Sequence, residues 1–474
     1  MTAETMAQEE TTQKVEVVVE EGKVVDVEAK ETVDVDESKP LNTVEKCSSY
    51  KEESNFLSDL KEFERKALIE FKSKVEEAIL GNTLFEKKEE ETKKVEALPE
   101  GGEDVEKVVK EEENVEGENE KGVEEEEEKD LSLWGVSLLP SKGDEGIDVV
   151  LLKFLRARDF KVNEAFEMLK KTLKWRKEMK IDSILEEDFG SDLVDAAYMN
   201  GVDREGHPVC YNIYGVFAGD EIYQKSFGSE EKRKEFLRWR CYVTEKWVQK
   251  LDLKPGGVSS LLQINDLKNC PGPSKKEIRI ATNQTVSILQ DNYPEMVAKN
   301  IFINVPFWYY ALNALLSPFL TQRTKSKFVV ARPAKVTETL IKYIPIEQIP
   351  VNYGGFKREN DSKFFNQDAT VSELILKAGS TATIEIPALE AGNTLCWDIA
   401  VLGWEVSYKE EFVPTDEGSY TVIVSKVKKI GSQEGAIRNT FKNNEAGKVI
   451  LTVNNSSNKK KRVMYRYQIN KNLP

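Results

Sequence analysis

The only histidine of the 474-residue chain, His207, stands in the run Asp203-Arg-Glu-Gly-His-Pro-Val209. A single imidazole leaves no HExxH metal site and little scope for Ser-His-Asp or Cys-His catalysis. No GxSxG, GxxxxGK[ST] or GxGxxG run occurs. His207 lies in a turn ahead of a strand, and a structural role is the expected one. The five cysteines, Cys47, Cys210, Cys241, Cys270 and Cys396, are scattered and form no CxxC. That spacing fits a reducing compartment and argues against a disulfide framework or a zinc site. Carboxylates can still serve as general bases. Without a recognisable motif, the expectation is a binding protein with no catalytic residues, metal or catalytic cofactor.

A different chemistry is carried by one apolar run. From Phe307 to Leu320, FWYYALNALLSPFL, the side chains are apolar nearly all round, and the polar exceptions Asn313 and Ser317 share a helix face. A helix this apolar is deeply buried or lies against lipid. It is roughly 20 Å long, short of the ~30 Å core of a bilayer. Arg323, Lys325 and Lys327 follow at once; cations there complement the helix dipole and add about 1 kcal/mol each at an anionic membrane. Two readings fit: a plain core helix, or a lid that touches a membrane and closes an apolar chamber. A diacyl lipid hides many methylenes, each worth about 0.8 kcal/mol against water, so its carrier needs such a chamber.

Two more basic clusters follow, Lys426, Lys428 and Lys429, then Lys459, Lys460, Lys461 and Arg462. On one face they make a patch for anionic lipids; the alternative is ordinary solvated surface. They lack interleaved stacking aromatics and the chain is acidic overall, so no nucleic-acid partner is expected.

The elements that position these groups fall into three parts. Residues 1–130 carry 42 Asp/Glu against 19 Lys/Arg, while the whole chain has a net charge of −16, so the body is mildly basic. Residues 1–55 and 86–130 read as disordered acidic arm. Between them Leu60, Phe63, Ala67, Phe71, Val75 and Ile79 mark an amphipathic helix near 59–80, capped by Ser58 or Asp59 and stopped by Gly81. The arm's start lacks a basic n-region and an apolar h-region, which predicts no secretory signal, and no apolar run is long enough to span a bilayer. Two helices follow, Ile147–Arg158 and Val162–Lys180. Strands at His207–Tyr214, Ser259–Asn265, Asn300–Val305 and Lys327–Ala331 alternate with helices at Glu230–Leu251, Lys275–Asp291, Phe307–Leu320 and Lys335–Tyr343. That alternation predicts an α/β layer with a largely parallel sheet. After Gly354-Gly355 short β-type runs without helices predict a β-sandwich.

The residues also carry a family resemblance. LLKFLRARDFKVNEAFEMLKKTLKWRKE (Leu151–Glu178) resembles the N-terminal helical part of CRAL-TRIO lipid-exchange proteins. DREGHPVCYNIYG, LLQINDLKN, QDNYPEMVAKNIFINVPFWYYALNALLSPFLTQRTKSKF and IKYIPIEQIPVNYGG resemble that domain in order. WDIAVLGWEVSYKEEFVP, YTVIVSKVKK and AGKVILTVNNSS resemble a GOLD domain. An acidic arm, CRAL-TRIO and GOLD in this order resembles the plant patellins, with wording most like patellin-4-like members. The resemblance implies an acidic arm over 1–130, a helical subdomain over 131–185, a lipid-binding domain over 186–357 and a GOLD sandwich over 365–472.

It also implies a carrier of phosphoinositides and other hydrophobic ligands, cytoplasmic and peripheral on membranes, tied to trafficking and to cell-plate formation in cytokinesis. Its ligand is a bound lipid, its partners anionic membrane lipids, with protein partners reached through GOLD and the arm. Phe307, Trp308, Leu312, Leu315, Leu316 and Phe319 are then the expected gate contacts, and Tyr211 and Leu262 expected cavity lining. Glu295 matches the acid of the family's YPE element, and Lys335 and Lys342 stand near the last helix as further headgroup candidates. Asp159 and Glu338 depart from the family, which usually has lysine at both places. A lipid-sensing adaptor that recruits proteins without transferring lipid is the competing reading.

Overall fold

In a computed structural model, residues 14–19, 23–28, 51–85, 131–272, 274–307, 326–366, 369–403, 405–431 and 434–471 are described. Most of the arm therefore lies outside the described residues, as does the gate segment beyond Phe307. Within the stretch read as disordered, β1 (Lys14–Val19) and β2 (Lys23–Glu28) pair as an antiparallel hairpin.

The expected amphipathic helix of the arm's second described piece is present, while its cap, its stripe at Phe63 and the order of residues 51–55 depart from the sequence reading. Helix α1 (Glu62–Leu80) buries Ala67, Leu68, Phe71, Val75, Ala78 and Ile79. Ser58 and Asp59 do not cap it: Asp59 accepts from the hydroxyls of Ser54 and Ser58, and the free amide of Lys61 is met by Glu64 at 2.9 Å. Phe63, assigned to the apolar stripe, is instead 54% exposed and stands edge-on to Phe160. The buried stripe shares one core with the short hairpin β3 (Ser132–Leu133) and β4 (Val136–Ser137), with α2 (Ile147–Ala157) and with α3 (Val162–Glu178). Burying a side chain such as Phe71 contributes about 1.5–3 kcal/mol, so α1 is a structural part of the body.

The α/β unit is one five-stranded sheet: β5 (Ala197–Val202), β6 (Pro208–Ile213), then across helices α4 (Asp220–Phe227) and α5 (Glu230–Val248) to β7 (Leu261–Asp266), and across α6 (Lys276–Asn292) to β8 (Val297–Ile303) and β9 (Phe328–Val330). β5 is antiparallel to β6; the other pairs are parallel. Strand alternation divides the sheet. One face carries Val209, Tyr211, Leu262, Ile264, Ile301 and Ile303, covered by Leu340, Ile344, Ile349 and Tyr353 from the segment around α7 (Val336–Leu340). The other carries Cys210 and Leu261, packed on Phe236, Trp239 and Ala281 of α5 and α6. A buried ion pair, Arg176 Nη1 to Glu245 Oε1 at 2.6 Å, joins α3 to α5, and the Tyr293 hydroxyl donates to the same carboxylate.

The expected β-sandwich is present. One sheet runs β10 (Ser372–Leu376), β17, β12, β15; the other runs β11 (Thr381–Ala388), β16, β13, β14. These are β12 (Thr394–Leu402), β13 (Val406–Pro414), β14 (Val422–Ile430), β15 (Ile437–Lys442), β16 (Gly447–Asn454) and β17 (Lys461–Asn470). All pairs are antiparallel. Trp397 is fully buried between the sheets, with Ile399, Tyr408, Phe412 and Leu451. Glu410 is equally buried, yet satisfied by Trp397, Tyr408 and Asn439 as donors, which is how a carboxylate is tolerated in a core.

The two units are clasped together. Asp398 on β12, fully buried, accepts from Arg358 (3.1 Å), Arg438 (2.8 Å) and Arg466 (2.8 Å). Arg438 also reaches Asp361 in the connecting turn at 2.6 Å, and Arg466 lies 4.1 Å over the Phe365 ring. Ala400, Leu402 and Ala436 of the sandwich join the core beneath the α/β sheet. No helix among the described residues is long and apolar enough to cross a membrane.

Candidate functional site

Helix α2 is buried almost all round, and two of its buried residues are cations, Lys153 and Arg156. They lie three apart, hence on one face. Lys153 Nζ donates to the carbonyls of Ser259, just before β7, and Glu295, just before β8, at 2.7 and 2.8 Å. Glu295 has φ +52°, a left-handed turn between α6 and β8. Its side chain pairs with Lys327 at 2.6 Å. Because β8 and β9 are parallel neighbours, this ion pair joins the starts of the two strands between which Phe307–Leu320 is inserted in sequence.

The arm closes this cluster. Arg156 donates to Asn55 Oδ1 and to the Ser54 carbonyl, both at 2.6 Å, and pairs with Glu53 at 3.2 Å. Asn55 donates onward to Ser259 Oγ. Glu52 Oε2 meets His207 Nε2 at 2.8 Å, while His207 Nδ1 meets Asp203 Oδ2 at 2.9 Å. Asp203 also accepts the backbone amides of Glu205 and His207, which shapes the turn into β6. Glu52, Glu53, Lys153, Arg156, Ser259, Glu295, Val297 and Lys327 line a gap of about 10 Å³, the size of roughly one water.

The charges are mutually tuned. Burial pulls the Lys153 ammonium down to about 8, against the attraction of Glu52 and Glu295. Burial opposes charge on His207, but the hydrogen bonds to Asp203 and Glu52 raise it to about 9. Burial alone would raise the Glu52 carboxyl; the bond from His207 and the nearby positive charges hold it down to about 2. At neutral pH, Lys153, Arg156, Lys327 and protonated His207 therefore face Glu52, Glu53, Glu295 and Asp203. Arg156, Lys327 and His207 each pair with a carboxylate, whereas Lys153 is held by two backbone carbonyls; a phosphate oxygen is an acceptor for the same cations.

Of the headgroup candidates, Glu295 sits in this cluster. Lys335 and Lys342 do not line its gap: Lys335 pairs with Glu338 at 2.8 Å, and Lys342 is exposed. Lys327, expected to face a membrane, is instead the partner of Glu295 and only 14% exposed. Tyr211 and Leu262 are fully buried in the packed face of the sheet. Tyr211 stacks between Tyr198 and Tyr353 with centroids at 5.1 and 5.5 Å, and its hydroxyl has no partner among the described residues. Phe307 is 84% exposed. Trp308, Leu312, Leu315, Leu316, Phe319, Arg323 and Lys325 lie outside the described residues.

In the sandwich, Lys426, Lys428 and Lys429 are exposed on β14, an edge strand whose Val422, Ile423 and Val427 are exposed too. Lys459 and Lys460 are exposed. Lys461 does not belong to that surface, because it begins β17 and is buried. Arg462 is held by Glu373 at 2.6 and 3.1 Å. Sequence reasoning missed Lys153 and Arg156. The available signal was a pair of cations on one face of a helix apolar all round, since buried charge demands a partner.

Family models match three stretches: "CRAL/TRIO, N-terminal domain" over residues 67–171, "CRAL/TRIO domain" over 194–355, and "Patellin-1-like, C-terminal GOLD domain" over 377–461. Phosphatidylinositol transfer protein SFH5 of Kluyveromyces lactis is 30% identical over 52% of this chain and 81% of its own. The crystal structure of Sfh5 aligns over 59% of this chain and 83% of its own at 18% identity, with a TM-score of 0.43. Patellin-3 of Arabidopsis thaliana is 46% identical over 92% of this chain and 81% of its own. Patellin-4 of the same plant is 56% identical through 95% of both chains. Likeness sustained from the helical part through the sandwich makes the conclusion plain: this chain belongs to the patellin family.

Proposed function

We propose that this chain is a lipid carrier rather than an enzyme, one that takes up phosphoinositides and other hydrophobic ligands and exchanges them at the cytosolic surface of anionic membranes. The observation that carries this reading is the Lys153–Arg156–Lys327 cluster around Glu295. It offers cationic donors for a phosphate ester where the CRAL/TRIO N-terminal domain, with Lys153 and Arg156, meets the CRAL/TRIO domain, with Lys327 and Glu295, at the foot of the two strands that bracket the apolar Phe307–Leu320 run. A relative named as a phosphatidylinositol transfer protein supports the same ligand class. The acyl chains would lie under that run, with Phe307, Trp308, Leu312, Leu315, Leu316 and Phe319 as the lid. The buried hydroxyl of Tyr211, without a partner among the described residues, is a group that a ligand or water satisfies. Family membership supports work in membrane trafficking and cell-plate formation.

The test is mass spectrometry of lipid extracted from the purified protein, followed by transfer of labelled phosphatidylinositol between donor and acceptor vesicles. Co-purifying lipid with transfer supports the carrier. The β14 edge, where Ile423 is 62% and Val427 67% exposed among lysines, favours a second reading, an adaptor whose sandwich docks on a membrane or a protein. Binding without transfer would select that reading.

A further inference from the structure

The arm segment Glu52–Phe56 does more than attach the arm. Its acidic side chains enter the cationic cluster from outside the α/β sheet, and its far end is anchored. The Phe56 ring lies over Gly256, so closely that a Cβ there would come within 2.5 Å of it. Next along the chain is α1, fixed in the helical core through Phe71 and Val75. The segment is therefore a tethered anion, present at the cluster at an effective concentration on the order of millimolar or above.

Three observations show what it occupies. Glu52 and Glu53 reach His207 and Arg156 at 2.8 and 3.2 Å. With them in place the remaining gap is about 10 Å³, room for roughly one water and not for a phosphate group. Charge points the same way: among the described residues Glu52 and Glu53 lie against His207 and Arg156, and withdrawing them removes two negative charges and tips the partly buried cluster of Lys153, Arg156, Lys327 and His207 toward a surplus of positive charge. Such a surplus is costly unless another anion replaces them.

We propose that Glu52 and Glu53 form a built-in plug, standing in for the phosphate ester of a ligand in the Lys153–Arg156–Lys327 cluster, so that ligand entry and withdrawal of residues 52–55 are one exchange. This rests on the cluster being the headgroup site. It assigns a regulatory role to the arm segment nearest the body: whatever holds it down lowers apparent affinity, and whatever draws it away raises it.

The full-length chain is tested with a soluble probe, glycerophosphoinositol, and with vesicles containing phosphatidylinositol. Glu52→Gln with Glu53→Gln is expected to bind both about tenfold more tightly than the parent chain, as loss of a millimolar-scale tethered competitor requires. In the parent chain, the soluble probe is expected to speed amide hydrogen exchange at residues 54–56. If the double variant fails to fold, Glu53→Gln alone serves, because that side chain is 45% exposed; it is expected to tighten both in the same direction. Tightening on vesicles alone reports bulk membrane electrostatics and overturns the plug. Unchanged affinity for both, with binding still abolished by Lys327→Glu, overturns the plug and leaves the headgroup site standing. Probe binding indifferent to Lys327→Glu overturns the site itself.

Discussion

Glu52 and His207 lie 155 positions apart in sequence and meet at 2.8 Å. The contact joins a stretch of acidic arm to the turn before β6. His207 is faced by Asp203 and, at 4.0 Å, by Glu205 as well, so the imidazolium stands among carboxylates.

The first prediction is a pH window for arm attachment. His207 is raised from 6.5 to about 9, so its stabilising contribution is complete below 6.5 and disappears as pH rises through 9. Glu52 is lowered from 4.5 to about 2, so its contribution is complete above 4.5 and disappears as pH falls through 2. Protection of residues 51–56 against hydrogen exchange, corrected for intrinsic rates, should peak between pH 4.5 and 6.5. His207→Gln should make the decline on the alkaline side shallower, leaving the part that follows Lys153, whose ammonium is pulled down to about 8 beside Glu52; an identical decline in the variant would rule out this assignment.

Phe71 is fully buried where α1 meets α2 and α3. Phe71→Ala should destabilise the body by about 3–5 kcal/mol. Urea unfolding followed by tryptophan fluorescence measures it, and a shift under 1 kcal/mol would mean that α1 adds little to the core.

Asp398 takes hydrogen bonds from three arginines. Asp398→Asn keeps the shape and removes the charge, leaving Arg358, Arg438 and Arg466 crowded together. The expected loss is about 3–5 kcal/mol, the usual cost of removing one partner from a buried ion network. Calorimetry should show the sandwich transition moving down; an unmoved transition would refute the clasp.

Surface charge on the sandwich should be separable by exposure. Replacing Lys426, Lys428 and Lys429 with Ala should weaken binding to phosphoinositide vesicles by about 1 kcal/mol per lysine, and to neutral vesicles hardly at all. Lys459→Ala with Lys460→Ala should act likewise. Lys461→Ala should instead lower stability, because that side chain is buried. Equal loss on both vesicle types would reject an electrostatic patch.

The layered fold was legible because its signals are local. Apolar runs such as Leu261–Ile264 and Ile301–Ile303 declare buried parallel strands, and the alternation of the sandwich strands declares a two-layer β unit. β13 is the harder strand to read, because its inward positions include Glu410 beside Tyr408 and Phe412, and a core carboxylate breaks the pattern that marks a strand. β5 was missed because all but one of its residues are half-buried. The site was hardest to read. Arg156 finds Ser54 and Asn55 about a hundred positions away, and Glu52 has the same local context as the other acids of the arm. Composition cannot distinguish a solvated glutamate from one whose cation arrives from another element.

The Asp398 junction has a mechanical consequence. The connecting turn is stapled to the sandwich by Arg438 and Arg466, and the sandwich shares Ala400 and Leu402 with the floor of the α/β sheet. A hinge between the two units would have to break the Arg358–Asp398 contact and uncover Ala400 and Leu402. Any surface that takes up β14 would therefore fix, through the same contacts, the tilt of the Lys153–Arg156–Lys327 cluster toward it.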